Sequence, residues 1–165
     1  MKRSIVQVGD TVLREEAQDI PIETITSTEV QSLIADMQET LADTKTGVAL
    51  AAPQVGESVR LFIVAPRAFE NDGEKKLVYI NPTITNRSRD TEDMDEGCLS
   101  VDGTYGSVRR SEKVTIEAYD EHGKKFTRGA SGLLAQIFQH EVDHLNGTLY
   151  IDKATDVRDV PKDND

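Results

Sequence analysis

Cysteine, histidine and tryptophan are scarce in this chain of 165 residues, which contains one cysteine, three histidines and no tryptophan. A single cysteine cannot form an internal disulfide, which agrees with a reducing compartment. No apolar run approaches the length of a membrane span, and the first residues, from Met1 to Val6, lack the apolar core of a signal peptide. We therefore expect a cytoplasmic protein that has no membrane partner.

Positive charge is also in short supply. The chain has 19 lysines and arginines against 30 aspartates and glutamates, which gives a formal net charge of -11. Such a chain repels phosphate backbones, and no basic patch is evident beyond Arg109-Arg110, so we expect no direct binding of nucleic acid. The length suits one domain that buries roughly two-thirds of its unfolded surface.

Two of the three histidines lie four residues apart in the segment Gln139-His140-Glu141-Val142-Asp143-His144. The surrounding pattern predicts a helix, on which residues four apart share one face, so both imidazoles can reach one metal ion. Glu141 would then lie beside a water held by that ion, where it can carry protons. The spacing therefore predicts metal-dependent hydrolysis.

A catalytic metal site of this kind needs a third protein ligand and an open position for water. No glutamate follows Glu141 and no histidine follows His144, while His122 lies in a turn-rich run where we expect it to be solvated. Cys98 offers a thiolate, a strong ligand for borderline divalent metals, and is favoured beside the two histidines. Two alternatives stay open: an HExxH metalloprotease with Asp152 as third ligand, and a non-catalytic metal-binding module.

Helical spacing of apolar residues predicts two helices. The first begins at the capping box Thr26-Ser27-Thr28-Glu29 and ends near Gly47. The second runs from an N-cap at Ser131 to a stop at Asn146-Gly147, and apolar residues cover most of its circumference, so we expect it to be buried. Strands are predicted at Val59-Ala65, Leu77-Ile80, Val114-Tyr119 and Lys125-Arg128, the last two forming a hairpin, with turns at Asn71-Asp72-Gly73 and Asn81-Pro82. Residues 152–165 are polar and acidic, and we expect them to form a mobile tail.

Three motifs together resemble those of the peptide deformylase family, whose members remove the N-formyl group from the initiator methionine of nascent proteins. They occur in the family's order and are Gly47-Val48-Ala49-Leu50-Ala51-Ala52-Pro53-Gln54, then Glu96-Gly97-Cys98-Leu99-Ser100, then Gln139-His140-Glu141-Val142-Asp143-His144. The joint match is far more specific than any one motif. It implies an α+β fold, in which residues 1–165 form a single compact domain with mixed or antiparallel sheets around the buried central helix that carries HExxH.

The resemblance also implies a site and its chemistry. Cys98, His140 and His144 would bind one divalent metal ion, natively Fe(II), with Zn(II), Ni(II) or Co(II) as substitutes. Glu141 would act as general base and acid, and the formyl oxygen would be stabilised by the Gln54 side chain and the Leu99 backbone N–H. The candidates for substrate contacts are Val48, Ala49, Leu133 and Ile137. The implied partners are N-formylmethionyl nascent peptides, with a transient contact to the ribosome.

Two positions depart from the family pattern. The first motif usually reads Gly-x-Gly-x-Ala-Ala, but Ala49 replaces its second glycine, and we expect the extra methyl group to affect substrate affinity more than chemistry. Asp102 stands where many members carry proline, which we expect to affect only loop stiffness. Beside the helix, Arg110 is predicted to pair with Asp143 in a structural contact, and Glu96 is a second candidate partner for the same arginine.

Overall fold

The computed structural model describes residues 1–69 and 75–159. They form two helices, α1 (Thr28–Ala42) and α2 (Gly132–Leu145), and eight strands: β1 (Ala49–Ala51), β2 (Leu61–Val64), β3 (Val78–Arg87), β4 (Thr91–Cys98), β5 (Val101–Ser111), β6 (Lys113–Tyr119), β7 (Lys125–Ser131) and β8 (Thr155–Asp159). No helix in these ranges is long and apolar enough to cross a membrane. The turn predicted at 71–73 lies outside the described residues.

The larger sheet has five strands in the order β1-β2-β3-β6-β7, all paired antiparallel, and a helix packs on each of its faces. Strand β2 shows why, since all four of its residues are buried and alternate between two cores. Phe62 packs in the core that contains α2, where its ring stacks on Tyr79 at 4.7 Å and lies near Phe138. Ile63 packs in the core beneath α1. Helix α2 is therefore held rigidly against the sheet.

The smaller sheet has the order β4-β5-β8 and is also antiparallel. Its longest hairpin, β4 to β5, turns at Leu99 and Ser100, directly after the Cys98↔Val101 pair. The fold thus brings the end of β4 to the helix that carries HExxH. The predicted α+β class, with antiparallel sheets and a central helix, is confirmed.

One predicted helix end and one predicted turn are wrong. Helix α1 begins as expected, with Ser27 accepting a hydrogen bond from the backbone N–H of Val30, but it ends at Ala42 and not near Gly47. The polar residues that follow favour turns over helix. The turn expected at Asn81-Pro82 is instead a bulge inside β3. Asn81 has φ 50°, and its side chain exchanges two hydrogen bonds of 2.8 Å with the backbone of Ile20.

Helix α2 begins and ends where the sequence predicts. Ser131 occupies the N-cap, although its side chain makes no capping hydrogen bond. At the other end Gly147 has φ 77°, and a Cβ there would lie 2.6 Å from the carbonyl oxygen of Arg14, so only glycine fits. Most of its apolar residues are buried as expected, while Leu133, a candidate for substrate contact, is 48% exposed and lines a cleft.

Part of the predicted tail is paired. Strand β8, Thr155–Asp159, bonds to β5, and every one of its residues is exposed. Residues 160–165 lie outside the described residues. The mobility of 152–165 stays a prediction.

Candidate metal centre

The structure brings Cys98, His140 and His144 to one point. One ligand atom from each lies within 4.8 Å of the others, and the Cys98 Sγ is 3.2 Å from His144 Nε2. The two imidazoles lie on one face of α2 with ring centroids 5.0 Å apart, as their spacing requires. A thiolate and two imidazoles are a donor set that suits several divalent transition metals.

The other candidate ligands lie elsewhere. Both carboxylate oxygens of Asp152 accept hydrogen bonds from the Arg14 guanidinium, at 2.6 and 3.1 Å, so this aspartate is engaged in an ion pair. The His122 side chain is 79% exposed at the turn between β6 and β7, beside Glu121, as predicted. Within residues 1–69 and 75–159, Cys98 is therefore the candidate third ligand that lies close to both histidines.

A network of charged side chains orients His140. Glu96 accepts a hydrogen bond of 2.7 Å from His140 Nδ1 and two more, of 2.7 and 2.8 Å, from the Arg110 guanidinium. Arg110 also donates to Asp143 at 2.8 Å, and Asp143 accepts from Lys153 at 3.0 Å. With Nδ1 committed to Glu96, His140 presents Nε2 to a metal, which is how carboxylates commonly orient metal-binding histidines. The predicted structural pairing of Arg110 with both acids is observed.

The pKa shifts in this network agree with its hydrogen bonds. Burial would raise the pKa of Glu96, but the hydrogen bonds from Arg110 and His140 outweigh burial and lower the pKa to about 2. Glu96 is therefore an ionised acceptor, and His140 Nδ1 must be the donor. Burial, with a smaller contribution from the neighbouring His140, lowers the pKa of His144 well below its ordinary value.

Two buried polar atoms beside the ligands have no hydrogen-bond partner among the described residues. One is Nδ1 of His144 and the other is Oε2 of Glu141. Burial, the largest influence, raises the pKa of Glu141 to about 7, and its Oε1 lies 3.9 Å from His140 Nε2. An acid of this pKa next to two imidazoles and the Cys98 sulfur is matched to moving a proton at neutral pH. The residues present therefore fit a hydrolytic metal site.

Gln54 reaches the ligands from a different element than α2. It belongs to a short 3-10 helix, Ala52–Val55, that directly follows β1, and it is 1% exposed. Its Oε1 accepts the backbone N–H of Ala51 at 2.9 Å, which fixes the amide so that Nε2 donates to Ser100 Oγ at 3.1 Å and faces Cys98 Sγ at 3.5 Å. The side-chain donor is thus aimed at the metal ligands.

A cleft of about 310 Å³ opens over the ligands. The candidate substrate residues all line it: Val48, Ala49, Leu133 and Ile137, as do Gln54, Leu99 and Glu141. Tyr105 and Thr104 of β5 also line it and were missed, because β5 itself was not predicted. Tyr105 is 40% exposed and covers Gly97, where a Cβ would lie 2.7 Å from its ring. A tyrosine between two glycines, Gly103 and Gly106, was the available signal.

Comparisons with known proteins agree along nearly the whole chain. Residues 2–160 match the family described as polypeptide deformylase. A peptide deformylase from Carboxydothermus hydrogenoformans is 42% identical over 156 residues, which cover 93% of each chain. A crystal structure of a peptide deformylase from Legionella pneumophila has a TM-score of 0.84 at 40% identity, covering 94% of this chain and 88% of that one. A Met-Ala-Ser-bound peptide deformylase from Acinetobacter baumannii has a TM-score of 0.84 at 33% identity, covering 93% and 98%.

Proposed function

The chain belongs to the polypeptide deformylase family, and from this membership we infer that it hydrolyses the N-formyl group of nascent formylmethionyl peptides, releasing formate. The main support for this activity is that Cys98, His140 and His144 lie close together beside the buried Glu141. Members of the family use a divalent metal, and we propose that these three residues hold it. A metal bound there supplies Lewis acidity, which lowers the pKa of water toward neutrality.

Glu141 is the proposed proton carrier. It accepts the proton of the water that attacks the formyl carbon and returns that proton to the departing amine, which leaves formate and a free N-terminus. Two features support this role: its carboxylate is 3% exposed with Oε2 unpartnered among the described residues, and burial raises its pKa to about 7. A group of this pKa can both accept and release a proton near neutral pH.

The negative charge that develops on the formyl oxygen needs hydrogen-bond donors already in place. We propose the Nε2 amide of Gln54 and the backbone N–H of Leu99 for this role. The fixed direction of the Gln54 amide supports the first. The position of Leu99 at the turn directly after the Cys98 ligand, in the lining of the cleft, supports the second.

The substrate backbone is proposed to lie along β1 as an added strand. Strand β1 is an edge of the five-stranded sheet, and Val48 and Ala49 line the cleft there. The methionine side chain would then be directed toward Leu133 and Ile137 of α2. The Met-Ala-Ser peptide bound to the Acinetobacter enzyme is consistent with a cleft that takes an extended peptide.

Four further proposals complete the assignment. The native metal is Fe(II), with Zn(II), Ni(II) or Co(II) as substitutes, since thiolate and imidazole bind each of these ions. The enzyme acts in the cytoplasm, where it meets its substrates during a transient contact with the ribosome. The net charge of -11 argues that this contact is with ribosomal protein and not with RNA. Residues 1–165 act as one catalytic domain.

The proton-carrier role is tested by Glu141→Gln, which keeps the side-chain shape and removes the proton acceptor. Metal content should stay near that of the unmodified enzyme, while release of formate from a formyl-Met peptide should fall by at least about 10²-fold. Glu121→Gln is the matched control, because it removes the same charge from a turn that does not line the cleft. Undiminished turnover in Glu141→Gln would refute the role.

A further inference from the structure

The turn between β4 and β5 carries contacts to both proposed oxyanion donors. Leu99 contributes its own N–H, and the next residue, Ser100, is fully buried with its Oγ 3.1 Å from Gln54 Nε2. The Gln54 amide has one fixed end, its Oε1 on the N–H of Ala51. Ser100 Oγ accepts from the other end, alongside the Cys98 Sγ at 3.5 Å, and so helps to fix the direction of the Nε2 donor.

The segment Val6–Val8, outside the cleft, restrains the backbone around the second donor, the Leu99 N–H. The side-chain amide of Gln7 spans the turn, since Nε2 donates to the carbonyl oxygen of Leu99 at 2.9 Å and Oε1 accepts the N–H of Asp102 at 3.3 Å. One amide thus holds a carbonyl on one side of the turn and an N–H on the other. This restrains the backbone that aims the Leu99 N–H.

The backbone of the same segment joins the two donor-bearing elements. Val6 N–H donates to the carbonyl oxygen of Gln54 at 2.8 Å, and Val8 N–H donates to that of Ser100 at 2.8 Å. The segment therefore bridges the 3-10 helix that carries Gln54 and the turn that carries Leu99. None of its three residues lines the cleft.

We propose that Ser100 and Gln7 are positioning residues of the deformylase site, one for each oxyanion donor. Ser100 acts through the Gln54 amide, and Gln7 acts through the Leu99 backbone. The inference rests on the proposed roles of these two donors. Because the donors act on charge that develops only in the transition state, loss of either positioning contact lowers kcat and leaves KM nearly unchanged.

The test is a set of double-mutant cycles on the metal-loaded enzyme, with kcat, KM, metal content and thermal midpoint measured for each variant. Ser100→Ala removes one oxygen atom and should lower kcat by roughly three- to tenfold, as expected for one neutral hydrogen bond. In a Gln54→Ala background the same change should have no further effect on kcat, because its target is gone. Gln7→Ala should lower kcat by roughly two- to fivefold in both backgrounds.

Two controls separate positioning from general loss of stability. Thr40→Ala removes another buried hydroxyl, which donates to the carbonyl oxygen of Asp36 and does not line the cleft, so it should lower the thermal midpoint and leave kcat unchanged. Gln18→Ala removes an exposed glutamine whose amide, among residues 1–69 and 75–159, makes only a local contact of 3.5 Å to Glu16. It should change neither quantity.

Each contrary result has a distinct meaning. An effect of Ser100→Ala that persists undiminished in the Gln54→Ala background would overturn the coupling between these two residues. A Gln7→Ala enzyme with unchanged kcat would overturn the assignment of Gln7. If Gln54→Ala itself leaves kcat intact, the proposed donor role of Gln54 fails, and the assignment of Ser100 fails with it.

Discussion

Replacement of Arg110 by methionine removes the guanidinium that holds two buried carboxylates behind the metal ligands. The Arg110 side chain is 3% exposed and makes three hydrogen bonds of 2.7 to 2.8 Å to Glu96 and Asp143. Breaking a buried ion pair by removing one partner costs about 3–5 kcal/mol, because the remaining charge stays buried. For a chain of this size that corresponds to a fall in thermal midpoint of about 6–20 °C.

The lowered pKa of Glu96 gives this loss of stability a dependence on pH. Burial opposes ionisation, but the hydrogen bonds from Arg110 and His140 bring the pKa from 4.5 to about 2. A lowered pKa contributes stability that is fully present above the unfolded value of 4.5 and is lost as the pH falls toward 2. The difference between Arg110→Met and the unmodified protein should therefore shrink over that range.

The assay is urea unfolding of both proteins with the metal removed, at several pH values from neutral down to the acid range. Arg109→Met is the matched control, since this neighbouring side chain is 66% exposed and its pairing with Asp93 at 3.4 Å should contribute under about 1 kcal/mol. In the metal-loaded enzyme, Arg110→Met should also weaken metal binding by about 10- to 100-fold, because Glu96, which orients His140, loses the arginine that holds it in place. An Arg110→Met protein as stable as Arg109→Met would refute the reasoning.

Two further predictions concern substrate binding and acid stability. Ala49→Gly should change KM more than kcat and leave metal content unaltered, because Ala49 lies on the edge strand beside the proposed substrate and is not a ligand. A several-fold shift in kcat at constant KM would contradict the placement of the substrate. Asp120→Asn should lower the free energy of unfolding at neutral pH by about 1 kcal/mol. Burial opposes ionisation of Asp120, but two backbone N–H groups and Lys76 lower its pKa below 3.8. In urea unfolding, the difference in stability between Asp120→Asn and the unmodified protein should therefore vanish as the pH falls through that lowered value. A difference that does not change with pH would contradict this role of Asp120.

The fold could be predicted where local pattern and tertiary packing agree. Both helices and the hairpin of β6 and β7 follow from apolar spacing and turn residues, and the structure confirms them. Strands β4 and β5 could not be predicted this way. The segment Thr91–Cys98 is rich in acids and largely exposed, and Val101–Ser111 contains two glycines, so neither has strong intrinsic strand preference. Their pairing with each other decides their structure.

The site was more predictable than the fold around it, because its residue types are rare. With one cysteine and three histidines in the chain, few ligand sets were possible, and the HExxH spacing selected two histidines at once. Contacts to backbone atoms could not be predicted. The bond from Gln7 to the Leu99 carbonyl joins residues 92 positions apart and depends on how two loops meet, which no residue pattern records.

The most direct test of the account is metal content and turnover in Cys98→Ala. Cys98→Ala and the unmodified protein are prepared without oxygen. Bound metal per chain, formate release from a formyl-Met peptide and thermal unfolding are measured for each. The account predicts that Cys98→Ala stays folded, since α2 is held by the core, but loses most of its metal and nearly all formate release. Near-stoichiometric metal with full turnover in Cys98→Ala would contradict the assignment of the metal centre.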